Sequence, residues 1–121
     1  FERGTEVQYG DRSHIFISGT ASIDNHGNVL FHGDVASQTK RMWENVDALL
    51  QEAGASFSDI AQIIVYIRNE SDRETVANLF EDKFPKTPYI ITHAAVCRPE
   101  WLIEMECIAV TPDGDSRFRD F

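Results

Sequence analysis

Two acidic residues near the end of the chain, Glu104 and Glu106, are spaced to do proton chemistry. In an extended segment alternate side chains share a face, so both carboxyls point to one side with Met105 opposite. An acid beside a like charge holds its proton more tightly, which suits Glu104 to general-acid work. Spacing alone equally describes a solvated edge-strand face, and for Glu106 that plainer reading stands. Cys97 precedes Glu104 by seven positions, with Arg98 beside it. A nearby cation favours a thiolate, but no His is placed to form a Cys–His pair. Cys97 is therefore either a pocket residue or a small buried hydrophobe. The planar fork of Arg98 suits a ligand carboxylate, or an ion pair with Glu100 or an acidic neighbouring subunit. Ser18-Gly19 offers a hydroxyl and a backbone N–H to a ligand oxyanion, or serves as a glycine bulge between strands. Tyr89 and Trp101 are candidate apolar walls, and His93 is the histidine nearest to them on a strand.

Other chemistries find no motif. His14, His26, His32 and His93 are scattered without HxH or HExxH, so no metal site is expected. Neither GxGxxG, a P-loop nor GxSxG occurs, which leaves nucleotide cofactors and serine-hydrolase chemistry without support. The expected site is cofactor-free and built on carboxyl groups.

These residues need strands to carry them. Arg3 to Tyr9 reads as a first strand, closed by Gly10-Asp11, and His14 to Ala21 as a second. After the turn cluster Asp24 to Asn28, Val29-Leu30-Phe31 can pair back as a third. Asp34 is a good N-cap for a helix whose stripe runs through Met42, Trp43, Val46 and Leu50 to a closing Gly54. Ile60 to Ile67 is apolar at nearly every position and reads as a near-central strand. Ser71 and Glu74 have capping-box spacing for a second helix, which Pro85 stops. Tyr89 to Val96 and Leu102 to Val110 complete the set, and 111–121 reads as a tail or an edge extension. The order β-β-β-α-β-α-β-β, without repeat or linker, predicts a single α+β domain with two helices on one face of a mixed sheet. The other face is too apolar for water, which predicts oligomerisation through it.

A chain of 121 residues with 42% hydrophobic residues has enough apolar side chains for a core. Eleven Lys+Arg against twenty Asp+Glu give a net charge of -9, which repels phosphate backbones and argues against nucleic acid as the main partner. The apolar run Ile60 to Ile67 is far short of the ~20 residues that span a bilayer, so no membrane partner is expected. Cys97 and Cys107 without a CxxC read as reduced thiols of a cytoplasmic protein.

With its elements in order, the chain resembles the YjgF/RidA family, also labelled endoribonuclease L-PSP or translation initiation inhibitor. The resemblance rests on Ile17-Ser18-Gly19, Gly33-Asp34 with Gln38, Glu44-Asn45-Val46, Ala53-Gly54-Ala55, Phe84-Pro85 and the run Ile103 to Val110. It implies a chorismate-mutase-like two-layer fold assembling as a homotrimer, with a pocket at each subunit junction. It also implies hydrolysis of 2-imino or 2-enamino acids. A strand Arg would grip the carboxylate of a small metabolite and a Glu would position water. Ser18-Gly19 and Glu104 match that pattern. The Arg does not: Tyr89-Ile90-Ile91-Thr92-His93 stands where it is expected. The family Asn of the second helix is displaced too, with Ala77 at its place and Asn78 beside it. Standard imino-acid deamination is therefore not the expected reaction. The stretches Ser18 to Ile23 and Cys97 to Glu104 are similar to the C-terminal domain of chorismatase-type enzymes, which cleave an enol ether. There the resemblance places Cys97 and Glu104 in the pocket. Those enzymes carry a further N-terminal domain, and a Phe1 start fits a domain cut from such a parent. The remaining alternatives are a non-catalytic metabolite-binding module and the older ribonuclease label.

Overall fold

The computed structural model describes residues 2–121. Its strands are β1 (Gly4–Gln8), β2 (Ser13–Ala21), β3 (Ile60–Ile67), β4 (Tyr89–His93) and β5 (Ile103–Thr111), with helices α1 (Val35–Glu52) and α2 (Arg73–Lys83). One mixed sheet runs in the order β1-β2-β5-β3-β4, with β3 and β4 parallel and the other neighbours antiparallel. This is the expected α+β fold, with β5 at its centre and β3 next to it.

The period-two pattern decides which residues meet the helices. Ile15 and Ile17 of β2, Ile63, Val65 and Ile67 of β3, and Ile103, Met105, Cys107 and Ala109 of β5 are all buried in one core. Met42, Trp43, Val46 and Leu50 of α1 and Val76 and Phe80 of α2 pack into the same core. Trp43 stands edge-on to Phe80 at 5.3 Å and to Phe84 at 5.7 Å, the quadrupole-favoured geometry. Asp34 caps α1, accepting from the Ser37 N–H at 3.0 Å, and Gly54 leaves the helix at φ +75, where L side chains are strained.

Three local expectations are corrected. Val29 to Phe31 is not a strand: one bridge, Ile23 to Val29, forms before Phe31 turns to φ 61 and leaves the ladder. The turn ahead of it is wound by Asp24, whose carboxylate accepts from the His26 and Asn28 N–H groups. Ser71 and Glu74 make no capping box. The chain enters α2 through a 3-10 turn, Glu70–Asp72, and Glu70 bonds Arg73 there. β4 stops at His93 because its partner β3 ends at Ile67, and beyond it the Val96 carbonyl is taken by the Arg68 side chain. Past Thr111 the chain folds back on the 9–12 turn, with Gly10 donating to Arg119 at 2.9 Å and Asp115 donating to Tyr9 at 2.9 Å. Gly10 permits that approach, since a Cβ there would sit 2.6 Å from the Phe118 carbonyl oxygen.

Candidate functional site

The sheet face away from the helices carries the polar residues of the strands. Register puts Phe16 beside Ile108, Ile108 beside Gln62, Ile64 beside Glu106 and Tyr66 beside Glu104. β4 adds Ile90 next to Ile64 and Thr92 next to Tyr66. Apolar side chains therefore alternate with polar ones on this face, and the acids stand together at one end of it.

A bulge shapes that end. Ile17 pairs with Cys107, but the next pair is Thr20 with Met105, so Ser18 and Gly19 oppose the single residue Glu106. The bulge turns Ser18 toward the N-terminal segment, where its hydroxyl donates to the Glu2 carbonyl at 2.7 Å and its N–H to the Arg3 carbonyl at 3.0 Å. It also lays the bare backbone of Gly19 against Glu104. A Cβ on Gly19 would lie 2.1 Å from Glu104 Oε1, so glycine is what lets the carboxyl rest there.

Glu104 is the acid of this face that rests against the bulge. Its Oε2 is buried without a hydrogen-bond partner. Burial pushes its pKa above the ordinary carboxylate value, the charge of Glu106 adds to the rise, and Arg3 offsets part of it. Across the ladder, Tyr66 is likewise raised, first by burial and then by Glu106, so its phenol keeps its proton at neutral pH. A carboxyl with a raised pKa, a phenol donor and a second carboxyl on one sheet face form a set able to deliver a proton to a small molecule. Next to it lies a cleft of about 260 Å³ lined by Phe16, Ser18, Gln62, Ile64, Glu106 and Ile108.

The structure thus brings Ser18, Gly19 and Glu104 together and places the other expected residues elsewhere. Tyr89 turns to the helix side: its ring packs on Phe80 and its hydroxyl donates to Glu81 at 3.0 Å. The reason is parity, because Tyr89 pairs with the buried Ile63. His93 is exposed at the end of β4, within 3.0 Å of the Arg68 carbonyl oxygen. Arg98 stacks over Trp101 at 5.0 Å and donates to the Gly27 carbonyl at 2.6 Å, while the Trp101 indole donates to the Ser22 carbonyl at 3.2 Å. Both residues tie the 94–102 loop to the 22–28 turn and neither lines the cleft. Cys97 is exposed on that same loop.

Two residues to which the sequence reading gave no role at the site hold the loop in place. Arg68 donates to the carbonyls of Val96, Arg98 and Trp101. Gln38, fully buried on α1, donates to the carbonyls of Phe31 and Glu100 and accepts from the Leu102 N–H at 2.9 Å. Since β5 begins at Ile103, these bonds fix the approach to Glu104. A polar residue inside the apolar stripe of α1 was the signal for Gln38, and a phenol inside an otherwise aliphatic strand was the signal for Tyr66. Among the described residues no group of His, Cys, Asp or Glu is arranged to hold a metal ion. No helix of these residues is long and apolar enough to cross a membrane.

Comparison with known proteins follows the same outline. The family described as endoribonuclease L-PSP matches residues 7–111. A RutC family protein of Pyrococcus abyssi is 35% identical over 97 residues, covering 78% of this chain and 76% of its own. The crystal structure of the YjgF gene product of E. coli aligns with a TM-score of 0.74 at 28% identity, over 91% of this chain and 87% of that one. A chorismatase structure aligns with a TM-score of 0.82 at 24% identity, over 90% of this chain but 36% of its own, a likeness of fold.

Proposed function

Because the chain belongs to the endoribonuclease L-PSP family, we propose that its open sheet face is a small-molecule hydrolytic site with Glu104 as the proton donor. The supporting observation is the Glu104 carboxyl, laid on Gly19 with Oε2 buried and unpaired. Partial burial and the Glu106 charge raise the affinity of this carboxyl for its proton, which favours its use as the acid. Its proton passes to the nitrogen of an imine, or to the carbon of an enamine or enol ether. Water then adds to the activated carbon, and the carboxylate recovers a proton from that water. It passes that proton to the departing nitrogen or oxygen, the C–N or C–O bond breaks, and the adduct's hydroxyl gives its proton back to the carboxylate as the carbonyl forms. The net change is one water consumed, with a carbonyl compound and an amine, ammonia or alcohol released. General acid catalysis of this kind contributes about 10²–10⁴-fold, and the scheme calls on neither a metal nor a cofactor.

The substrate expected from the resemblance bears a carboxylate, and no guanidinium stands on β4 to grip one. Standard 2-imino acid deamination is accordingly not proposed. Phe16 and Ile90, 40% and 61% exposed, leave an apolar surface on the open face, which supports a homotrimer with a pocket at each junction. The exposed Ile90 also favours a second reading, a metabolite-binding module without turnover. The net charge of -9 disfavours the ribonuclease label.

The test is hydrolysis of freshly generated imines and of enol ethers by the purified chain and by Glu104→Gln. We expect turnover to fall at least ~100-fold in the variant with its melting temperature retained. Full activity in Glu104→Gln would refute the acid role, and ligand-induced stabilisation without turnover would establish the binding module.

A further inference from the structure

We propose that the cleft on the open sheet face takes a small ligand with an apolar body and a protonated nitrogen, and turns carboxylates away. This rests on the reading of that face as the reactive site and narrows its substrate class. The walls, Phe16, Ile64 and Ile108, enclose with their polar neighbours about 260 Å³, room for one ring and a short chain. The polar lining is Ser18, Gln62 and Glu106. The Ser18 hydroxyl already donates to the Glu2 carbonyl, so toward a ligand it offers lone pairs. A carboxylate offers only lone pairs as well.

Cations, by contrast, are engaged elsewhere. No Lys, Arg or His among the described residues lines this cleft. Ile90 pairs with Ile64 where a gripping guanidinium was expected. Arg68 is spent on three loop carbonyls, Arg73 on Glu70 and the Ile91 carbonyl, and Arg98 on the Gly27 carbonyl. Arg3 acts on Glu104 at the adjoining end of the face and lines other cavities. An anion entering the cleft would give up hydration and find one neutral donor group, the Gln62 amide, beside the Glu106 carboxylate, with no cation to offset that cost. An ammonium or iminium meets the Glu106 carboxylate and the face of the Phe16 ring. A nitrogen that takes up the Glu104 proton becomes the cation that Glu106 faces, so the complementarity strengthens as the reaction proceeds.

The experiment is an NMR titration of the full chain carrying labelled isoleucine δ1 methyls, with phenethylammonium and with 3-phenylpropanoate, a pair alike in shape and opposite in charge. The ammonium is expected to shift the Ile64 and Ile108 methyls, and the carboxylate to leave them in place. In Glu106→Gln the ammonium affinity is expected to fall roughly tenfold. Binding of the carboxylate as tightly as the ammonium, or no movement of those methyls with either probe, overturns the proposal. The matched pair on the unaltered chain decides this even if the variant fails to fold. Glu104→Gln separates the two readings. Turnover surviving in it while ammonium still shifts the methyls sinks the acid assignment and leaves the charge preference standing.

Discussion

The two faces of the one sheet are built from the same strands and solve opposite problems. On the helix side every second residue of β5, from Ile103 to Ala109, is buried with its apolar neighbours from α1 and α2. On the open side the intervening residues include Glu104 and Glu106, and one carboxyl oxygen is buried with nothing to bond. The first face is stable because it is packed, with the Trp43 indole N–H as its unpartnered polar atom. The second keeps an unsatisfied acid, a feature that costs stability and is retained where a perturbed proton is useful. Cys107 and Glu104 show the contrast within one strand. Burial pushes the Cys107 thiol up to about 12, which makes it inert, whereas burial of Glu104 raises its pKa toward the range where the proposed acid role becomes available.

Breaking the covered face has the largest expected effect on stability. Phe80→Ala removes a fully buried ring that packs on Trp43, Phe84 and Tyr89, and is expected to cost about 3–5 kcal/mol in denaturant unfolding. A loss below ~1 kcal/mol would mean that the aromatic cluster is not the core it resembles.

Gly19→Ala probes the other face. The added Cβ would collide with the end of a flexible side chain, so the carboxyl swings away and stability falls by only about 1 kcal/mol. Turnover is expected to fall nearly as far as in Glu104→Gln. An active Gly19→Ala would show that the seat of the carboxyl on the bulge is irrelevant.

The smallest effect separates the two thiols. Ellman's reagent is expected to modify Cys97 in the folded chain and Cys107 only after unfolding, because Cys97 is exposed and Cys107 is buried. Equal reaction rates at both would contradict the buried side of the comparison.

The covered face was legible in the sequence because burial writes itself as period. The stripe of α1, its Asp34 cap and the β5 alternation follow from composition at fixed spacing, and the structure agrees with each. Misreadings fell where one local bond outweighs a propensity. The left-handed turn at Phe31 ended a strand that its residue types favour, and the Glu70–Arg73 bond displaced the capping box. The site was legible in part. Glu104 and Ser18-Gly19 come together through the bulge, whereas Tyr89 was assigned to the site face although its register with Ile63 sends it to the core. The fastening of the 94–102 loop by Arg68 and Gln38 could not be read, since it joins residues tens of positions apart through carbonyl groups that every sequence has.

The central claim is that the fold raises the pKa of Glu104, and stability against pH already carries its sign. A carboxyl whose pKa is raised on folding binds its proton more tightly in the native state. Its contribution is therefore fully present at pH below its unfolded value of about 4.5 and is lost as pH rises through the folded value. Glu104→Gln should remove that loss. The most direct measurement is the carbon-13 titration of the Glu104 side-chain carboxyl in the folded chain. The account predicts a midpoint above 4.5, moving back toward that value in Gly19→Ala. A midpoint at or below 4.5 in the unaltered chain would contradict it.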